Sequence, residues 1–114
     1  MKIFVISLAD AIKRQTFMRE QMNRLGLDFE FVEAIDGRKM DVKQLDELVD
    51  QKWAWRYCGW HLSPAEIGCA LSHLKVYKEI LARRLPEALV LEDDTRLDGR
   101  SRSMISYCES NLPM

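Results

Sequence analysis

The first third of the chain carries the pattern that most restricts its fold: an apolar strand, an amphipathic helix and a second strand in direct succession. Residues 2–7 (KIFVIS) are β-branched and aromatic, as in a strand that packs on a pleated surface. Residues 10–25 form a mainly polar segment in which Met18, Met22 and Leu25 recur at helical spacing; Asp10 stands as N-cap and Gly26 as C-cap. Residues 29–35 (FEFVEAI) alternate as a second strand, and Asp36-Gly37 closes it with a turn pair. Strand, helix and strand over this distance make a βαβ unit, so the sheet is expected to be parallel.

A third strand follows much later. Ala88, Leu89, Val90 and Leu91 are an uninterrupted apolar run, the pattern of a strand covered on both faces. Glu92, Asp93 and Asp94 come at once where that strand leaves the sheet. In open α/β sheets ligands gather beyond the carboxyl ends of the strands. Adjacent carboxylates repel and raise one another's pKa unless a cation or hydrogen-bond donors lie between them. Oxygen ligands suit Mg²⁺ or Mn²⁺, which take one or two carboxylates and complete their shell with phosphate and water. Two readings fit: a divalent-metal and diphosphate site, or a solvated acidic turn.

The clearest helix runs between these parts, over residues 62–84. Ser63-Pro64-Ala65-Glu66 joins a capping Ser, a Pro at the first helical position and a Glu three residues on, a complete capping box. Leu62 and Ile67 are placed for a hydrophobic staple across it, and Ile67, Ala70 or Leu71, Leu74, Tyr77 and Leu81 form an apolar stripe. Gly68 costs a helix about 1 kcal/mol relative to Ala, so another backbone or a ligand is expected to approach it closely. Pro86 ends the element. A shorter helix, capped by Asp41, carries Val42, Leu45, Leu48 and Val49 on one side. The connecting residues 51–61 hold Trp53, Trp55, Tyr57 and Trp60, which either stack on a sugar or fill core, the commoner use of aromatics. A weak helix over 101–112 turns Met104, Ile105, Cys108 and Leu112 to one face.

Composition narrows the class. With 114 residues, 47% of them hydrophobic and 31% charged, the chain is a single folded domain rather than a disordered one. A formal charge of −1 gives no general attraction to nucleic acid or anionic lipid. No transmembrane span or signal-peptide core is visible. Cys58, Cys69 and Cys108 are an odd, widely spaced set, read as reduced and mostly buried thiols of a cytoplasmic protein.

Four separated segments resemble one family. IFVISLADAIKRQ, EAIDG, LSPAEIGCALSHLKVYKEIL and ALVLEDD stand in the order and at the spacing of glycosyltransferase family 25, which contains lipooligosaccharide galactosyltransferases and lipopolysaccharide biosynthesis enzymes. The resemblance reaches from Ile3 to about Asp94, and its SPAEIGCALSH block is far more specific than the acidic triplet. It implies an α/β, GT-A-like (Rossmann-type) nucleotide-sugar-binding fold, here with about three mostly parallel strands and flanking helices. It also implies a UDP-hexose donor, most often UDP-galactose, a lipooligosaccharide or lipopolysaccharide acceptor, and Mn²⁺ or Mg²⁺.

By resemblance Glu92-Asp93-Asp94 is the family's metal-binding DXD element, with Asp94 as the direct ligand and Glu92 or Asp93 on the ribose or the metal's water shell. Ser7, a donor-binding candidate by its place in the opening motif, stands where many members have Asn, so the resemblance does not imply a side-chain amide contact there. Arg14 matches a basic position for phosphate or uracil, or lies on a solvated helix face. Asp36 matches the A-x-D-G element of the nucleoside site, or is a plain turn aspartate. His73, in the ALSH segment, is a weak catalytic candidate, placed to orient a carboxylate of the acidic corner or to serve as a structural histidine. Glu66 belongs mainly to the cap.

Members of the family are considerably longer, so the resemblance implies the donor-binding half without the acceptor side or catalytic base, with weak or absent activity alone. A three-strand sheet leaves an open edge and an uncovered apolar face, so homodimerisation or strand exchange is expected. The competing reading is a non-catalytic interaction or regulatory module that keeps the scaffold. A receiver-type phosphoacceptor domain fits poorly, because Ser7 and not an acid follows the first strand. Peripheral contact with the inner membrane's cytoplasmic face accompanies the lipopolysaccharide reading.

Overall fold

The computed structural model describes residues 1–113. Three strands, β1 (Lys2–Ser7), β2 (Glu30–Glu33) and β3 (Ala88–Glu92), form one sheet in the order β2-β1-β3 with both pairings parallel. The helices are α1 (Ile12–Leu25), α2 (Val42–Leu48), α3 (Gln51–Cys58), α4 (Pro64–Ala82) and α5 (Gly99–Asn111), with a 3-10 turn at Gly37–Lys39. The expected small α/β fold with three parallel strands and flanking helices is the one found, consistent with a truncated Rossmann-like architecture.

Strand β1 is central, and Ile3, Phe4, Val5 and Ile6 are all buried. Because side chains alternate across a sheet, it serves two cores. Phe4 and Ile6 pack with Val76 of α4, and Val32, Ala34, Ile80, Val90 and others close around them. Ile3 and Val5 face the opposite side with Leu89 and Leu91, their register partners. On this second side α1 contributes the fully buried Met18 and Met22. Gln21 of α1 clamps the segment after β3, donating to the Thr95 carbonyl at 2.9 Å and accepting from the Leu97 amide at 2.8 Å.

Local chemistry explains the boundaries. Gly26 ends α1 at φ 65°, the left-handed conformation expected of it. The other end differs from expectation: Ala11, not Asp10, is the N-cap, and no side chain caps it. A tight turn, with the Ala11 amide on the Leu8 carbonyl, brings Asp10 one residue too early. Ser63 completes the predicted reciprocal capping box, and Asp41 caps α2 as expected, with Gln44 making that cap reciprocal as well. Helix α4 stops at Ala82, and Arg84 reverses the chain at φ 53°, two residues ahead of Pro86.

The buried face of α4 keeps Ile67 of the predicted stripe but not the rest of it. Leu74, Tyr77 and Leu81 are exposed, whereas Ile67, Gly68, Ser72 and Val76 point inward. A close backbone approach selects that face. A Cβ built on Gly68 would lie 2.6 Å from both the Gly37 nitrogen and the Ile35 carbonyl oxygen, and one on Gly37 would lie 1.8 Å from the Pro64 carbonyl oxygen. Ser72 fastens the same contact, accepting from the Ile35 amide at 2.8 Å and donating to the Gly68 carbonyl at 2.7 Å.

Other expectations of burial also change. The aromatic segment is helical in α3, capped by Asp50 and ended by Gly59 at φ 79°. Only Ala54 is buried there, and Trp53, Trp55, Tyr57 and Trp60 stand outward instead of filling the core. In α2 only Leu45 is buried, while Val42 and Leu48 are exposed, because so short a helix touches its neighbours along one line. Strand β3 is half-buried rather than enclosed. As an edge strand it borders an apolar groove of about 490 Å³ shared with Met104, Ile105, Cys108 and Leu112 of the α5 segment. The cysteines are free as expected, but Cys69 is exposed and Cys58 and Cys108 only half-buried.

Gly68→Ala tests the backbone contact against helix propensity. Propensity alone favours Ala by about 1 kcal/mol, but the clash is with backbone atoms that cannot rotate away. A net loss of about 1–3 kcal/mol in urea unfolding is expected; equal or greater stability would show that the approach is not tight.

A candidate donor-binding cleft at the sheet's switch point

Strand order 2-1-3 reverses direction at β1, so the crevice beyond the carboxyl ends of β1 and β3 is where such a sheet opens for a ligand. The register pairs Ile6 with Glu92, which sets Ser7 beside Asp93 as the two strands leave the sheet. A cleft of about 250 Å³ lies there. Its walls include Ser7 and Leu8 from the end of β1, Arg14 from α1, residues 34–38 after β2, Ala65, Cys69 and Ser72 from α4, and all three acids after β3.

Ser7, Arg14, Asp36 and Asp93 all line the cleft, and three of them meet. Ser7 Oγ donates to Asp93 Oδ2 at 2.7 Å, and Arg14 Nη1 donates to Asp93 Oδ1 at 3.3 Å. Asp93 is only 7% exposed, so its charge is neutralised by neighbours already in the fold. Asp36 accepts from the Arg38 amide at 3.1 Å and from its guanidinium at 3.0 and 3.2 Å. The Arg38 side chain, first among the causes, holds the Asp36 carboxyl below the usual range.

Glu92 turns the other way, toward α4. Its Oε1 accepts from Cys69 Sγ at 3.3 Å and lies 3.4 Å from His73 Nε2. The hydrogen bond to Glu92, helped by burial and by that negative charge, pushes the Cys69 thiol above its ordinary pKa. His73 therefore meets a carboxylate of the acidic corner, as its helical position suggested, but is not itself among the cleft-lining residues. Asp94 is exposed on the cleft wall with no hydrogen-bond partner among the described residues.

The acids thus separate instead of forming one cluster. Asp93 is held by Ser7 and Arg14, Glu92 by α4, and Asp94 is left free. Glu92 and Asp94 border the cleft without an arginine or lysine partner; both are oxygen donors of the type a hard divalent ion takes, but Glu92 faces α4 and the two are not brought together. Sequence reasoning had not selected Cys69, Ser72 or Arg38. The i, i+4 spacing of Cys69 and His73 was the available signal for the first, whereas Ser72 and Arg38 are placed only by the docking of α4 on the β2 exit.

Comparison with known proteins agrees with the sequence resemblance. Residues 1–113 match the family model described as glycosyltransferase family 25 (LPS biosynthesis protein). Human procollagen galactosyltransferase 2 is 32% identical over 97% of this chain and 18% of its own length. The mouse inactive glycosyltransferase 25 family member 3 is 35% identical over 89% of the chain and 18% of its length. A glycosyltransferase 25 family member from Aedes aegypti is 36% identical over 84% and 16%. The chain spans about a fifth of the length of these curated relatives. No helix among the described residues is long and apolar enough to cross a membrane.

The division of labour around Asp93 gives unequal expectations for its two partners. Ser7→Ala leaves a nearly buried carboxylate short of a donor and is expected to cost about 1–3 kcal/mol in chemical denaturation. Arg14 is 63% exposed in its side chain, so Arg14→Ala is expected to cost less than about 1 kcal/mol. Equal, negligible effects from both would remove Asp93 as a structural tie.

Proposed function

Because this chain belongs to glycosyltransferase family 25, we propose that it is the donor-binding part of a hexosyltransferase, taking galactose from UDP-galactose to a lipooligosaccharide or lipopolysaccharide acceptor. The observation that carries the reading is the cleft beyond β1 and β3, where a free Asp94 and the carboxylate of Glu92 border one concavity beside the Arg14 guanidinium. The family description supports the acceptor, and the galactosyltransferase name of a relative supports the sugar.

In this reading Asp94 and Glu92 would hold Mn²⁺ or Mg²⁺, and the chemistry such an ion would supply is Lewis-acid stabilisation of negative charge on a diphosphate. Arg14 adds positive charge at the same rim, and its partial exposure leaves it able to meet phosphate as well as Asp93. Ser7 keeps Asp93, and with it the turn that follows β3, in one position; the Thr95 amide on the Glu92 carbonyl at 3.1 Å closes that turn. Asp36 and Arg38 form a fixed ion pair on the opposite rim, where the nucleoside would lie. His73 acts through Glu92, orienting its carboxylate. A cytoplasmic site of action accompanies the lipopolysaccharide acceptor.

Titration calorimetry of UDP against the chain, with and without Mn²⁺, tests this directly. Metal should raise UDP affinity at least about tenfold, equivalent to ~1.4 kcal/mol, and Asp94→Ala should remove the gain. UDP binding that ignores both metal and Asp94→Ala would sink the reading. A relative named as inactive favours a second reading, a non-catalytic module on the same scaffold; nucleotide-indifferent binding would favour it.

Self-association is supported by the open edge of β3 and the apolar groove beside it. A second copy pairing along that edge would cover both. Sedimentation equilibrium should then give a dimer, and a monomer at all concentrations up to the limit of solubility would exclude it.

A further inference from the structure

We propose that Cys69, His73 and Glu92 form a binding site for a thiophilic divalent cation, Zn²⁺ by chemical class, separate from the all-oxygen pair at Asp94. Cys69 and His73 lie at i and i+4 on α4 and so share one face of the helix. Glu92 reaches them from the end of β3, and one ligand atom from each of the three lies within 4.8 Å of the others.

The distances match what zinc requires. With Zn–S of about 2.3 Å and Zn–N or Zn–O of about 2.0 Å, the edges of a tetrahedron are roughly 3.3–3.5 Å. The Sγ to Oε1 and Nε2 to Oε1 separations are 3.3 and 3.4 Å. Two edges of one face are therefore already at length before any ion enters. The remaining edge, Sγ to Nε2, lies within a small side-chain rotation of it.

The donor set selects the metal. A thiolate and an imidazole beside one carboxylate favour zinc over Mg²⁺ or Mn²⁺, which prefer oxygen throughout. On binding, the thiol proton now donated to Glu92 leaves to solvent, and the ion takes its place between sulfur and carboxylate. Three protein ligands leave a fourth position open. Cys69 and Glu92 both border the cleft, so that position faces the cleft and takes water. Glu92 is common to this set and to the hard-metal pair, which makes the two ions rivals for one carboxylate.

Cobalt(II) is the probe, used on the whole chain without nucleotide, so the result is independent of the donor-site reading. One equivalent should give a thiolate-to-cobalt charge-transfer band with d–d bands of tetrahedral intensity, displaced by Zn²⁺. Cys69→Ser should abolish the charge-transfer band, and His73→Ala should weaken Zn²⁺ binding at least about tenfold. Cys58→Ser and Cys108→Ser should leave both unchanged. An octahedral spectrum without a charge-transfer band from the unmodified chain would overturn the proposal, and needs no variant to fold. So would a band that survives Cys69→Ser, or Zn²⁺ affinity indifferent to both Cys69→Ser and His73→Ala.

Discussion

The tight passage of α4 over the exit of β2 is the constraint on which the other features rest. Two glycines, Gly37 and Gly68, allow backbone to meet backbone where any side chain would collide. Ser72 bridges the two segments by accepting from one and donating to the other. This contact sets the rotation of the helix. It turns Val76 onto Phe4 and Ile6 and carries Cys69 and His73 to the side that Glu92 reaches. The same contact forms one wall of the cleft, so a packing requirement of the core also shapes the site.

The rotation explains what was legible in the sequence and what was not. Strand identity, strand direction and the Ser63–Glu66 capping box follow from local patterns that tertiary structure does not override, and each was readable. The glycine's purpose was readable too, because an unfavourable residue in a helix implies a neighbour that needs its small size. The buried face of α4 was legible only at its start. Hydrophobic periodicity picked Ile67 correctly but then favoured Leu74, Tyr77 and Leu81, whereas the docking face continues through Gly68, Ser72 and Val76, two of which carry no hydrophobic signal. A helix chosen for close approach hides its contact face from a reading based on apolar spacing. The exposed rings of α3 are the converse case, where strong hydrophobic signal marks residues that do not enter the core.

The acidic triplet shows the limit of reading a motif as a unit. Only Glu92 is still in β3, while Asp93 and Asp94 lie in the turn that follows, and the three carboxylates take separate surroundings rather than a single face. The expected repulsion among them is relieved mainly by donors in the fold: Ser7 and Arg14 at Asp93, and Cys69 at Glu92. A bound cation is therefore not needed to make the corner stable. That weakens an argument for metal drawn from charge crowding, and transfers the case to geometry, where Asp94 remains free on the cleft wall.

Glu92 is then the residue at which the corner's roles meet. Its carboxylate borders the cleft and also holds the thiol and imidazole of α4. Turned toward α4, it completes a set suited to a soft ion; turned toward Asp94, it completes a set suited to a hard one. On the two metal readings proposed above, this first acid is the ligand that both donor sets share, so a change at Glu92 would bear on both.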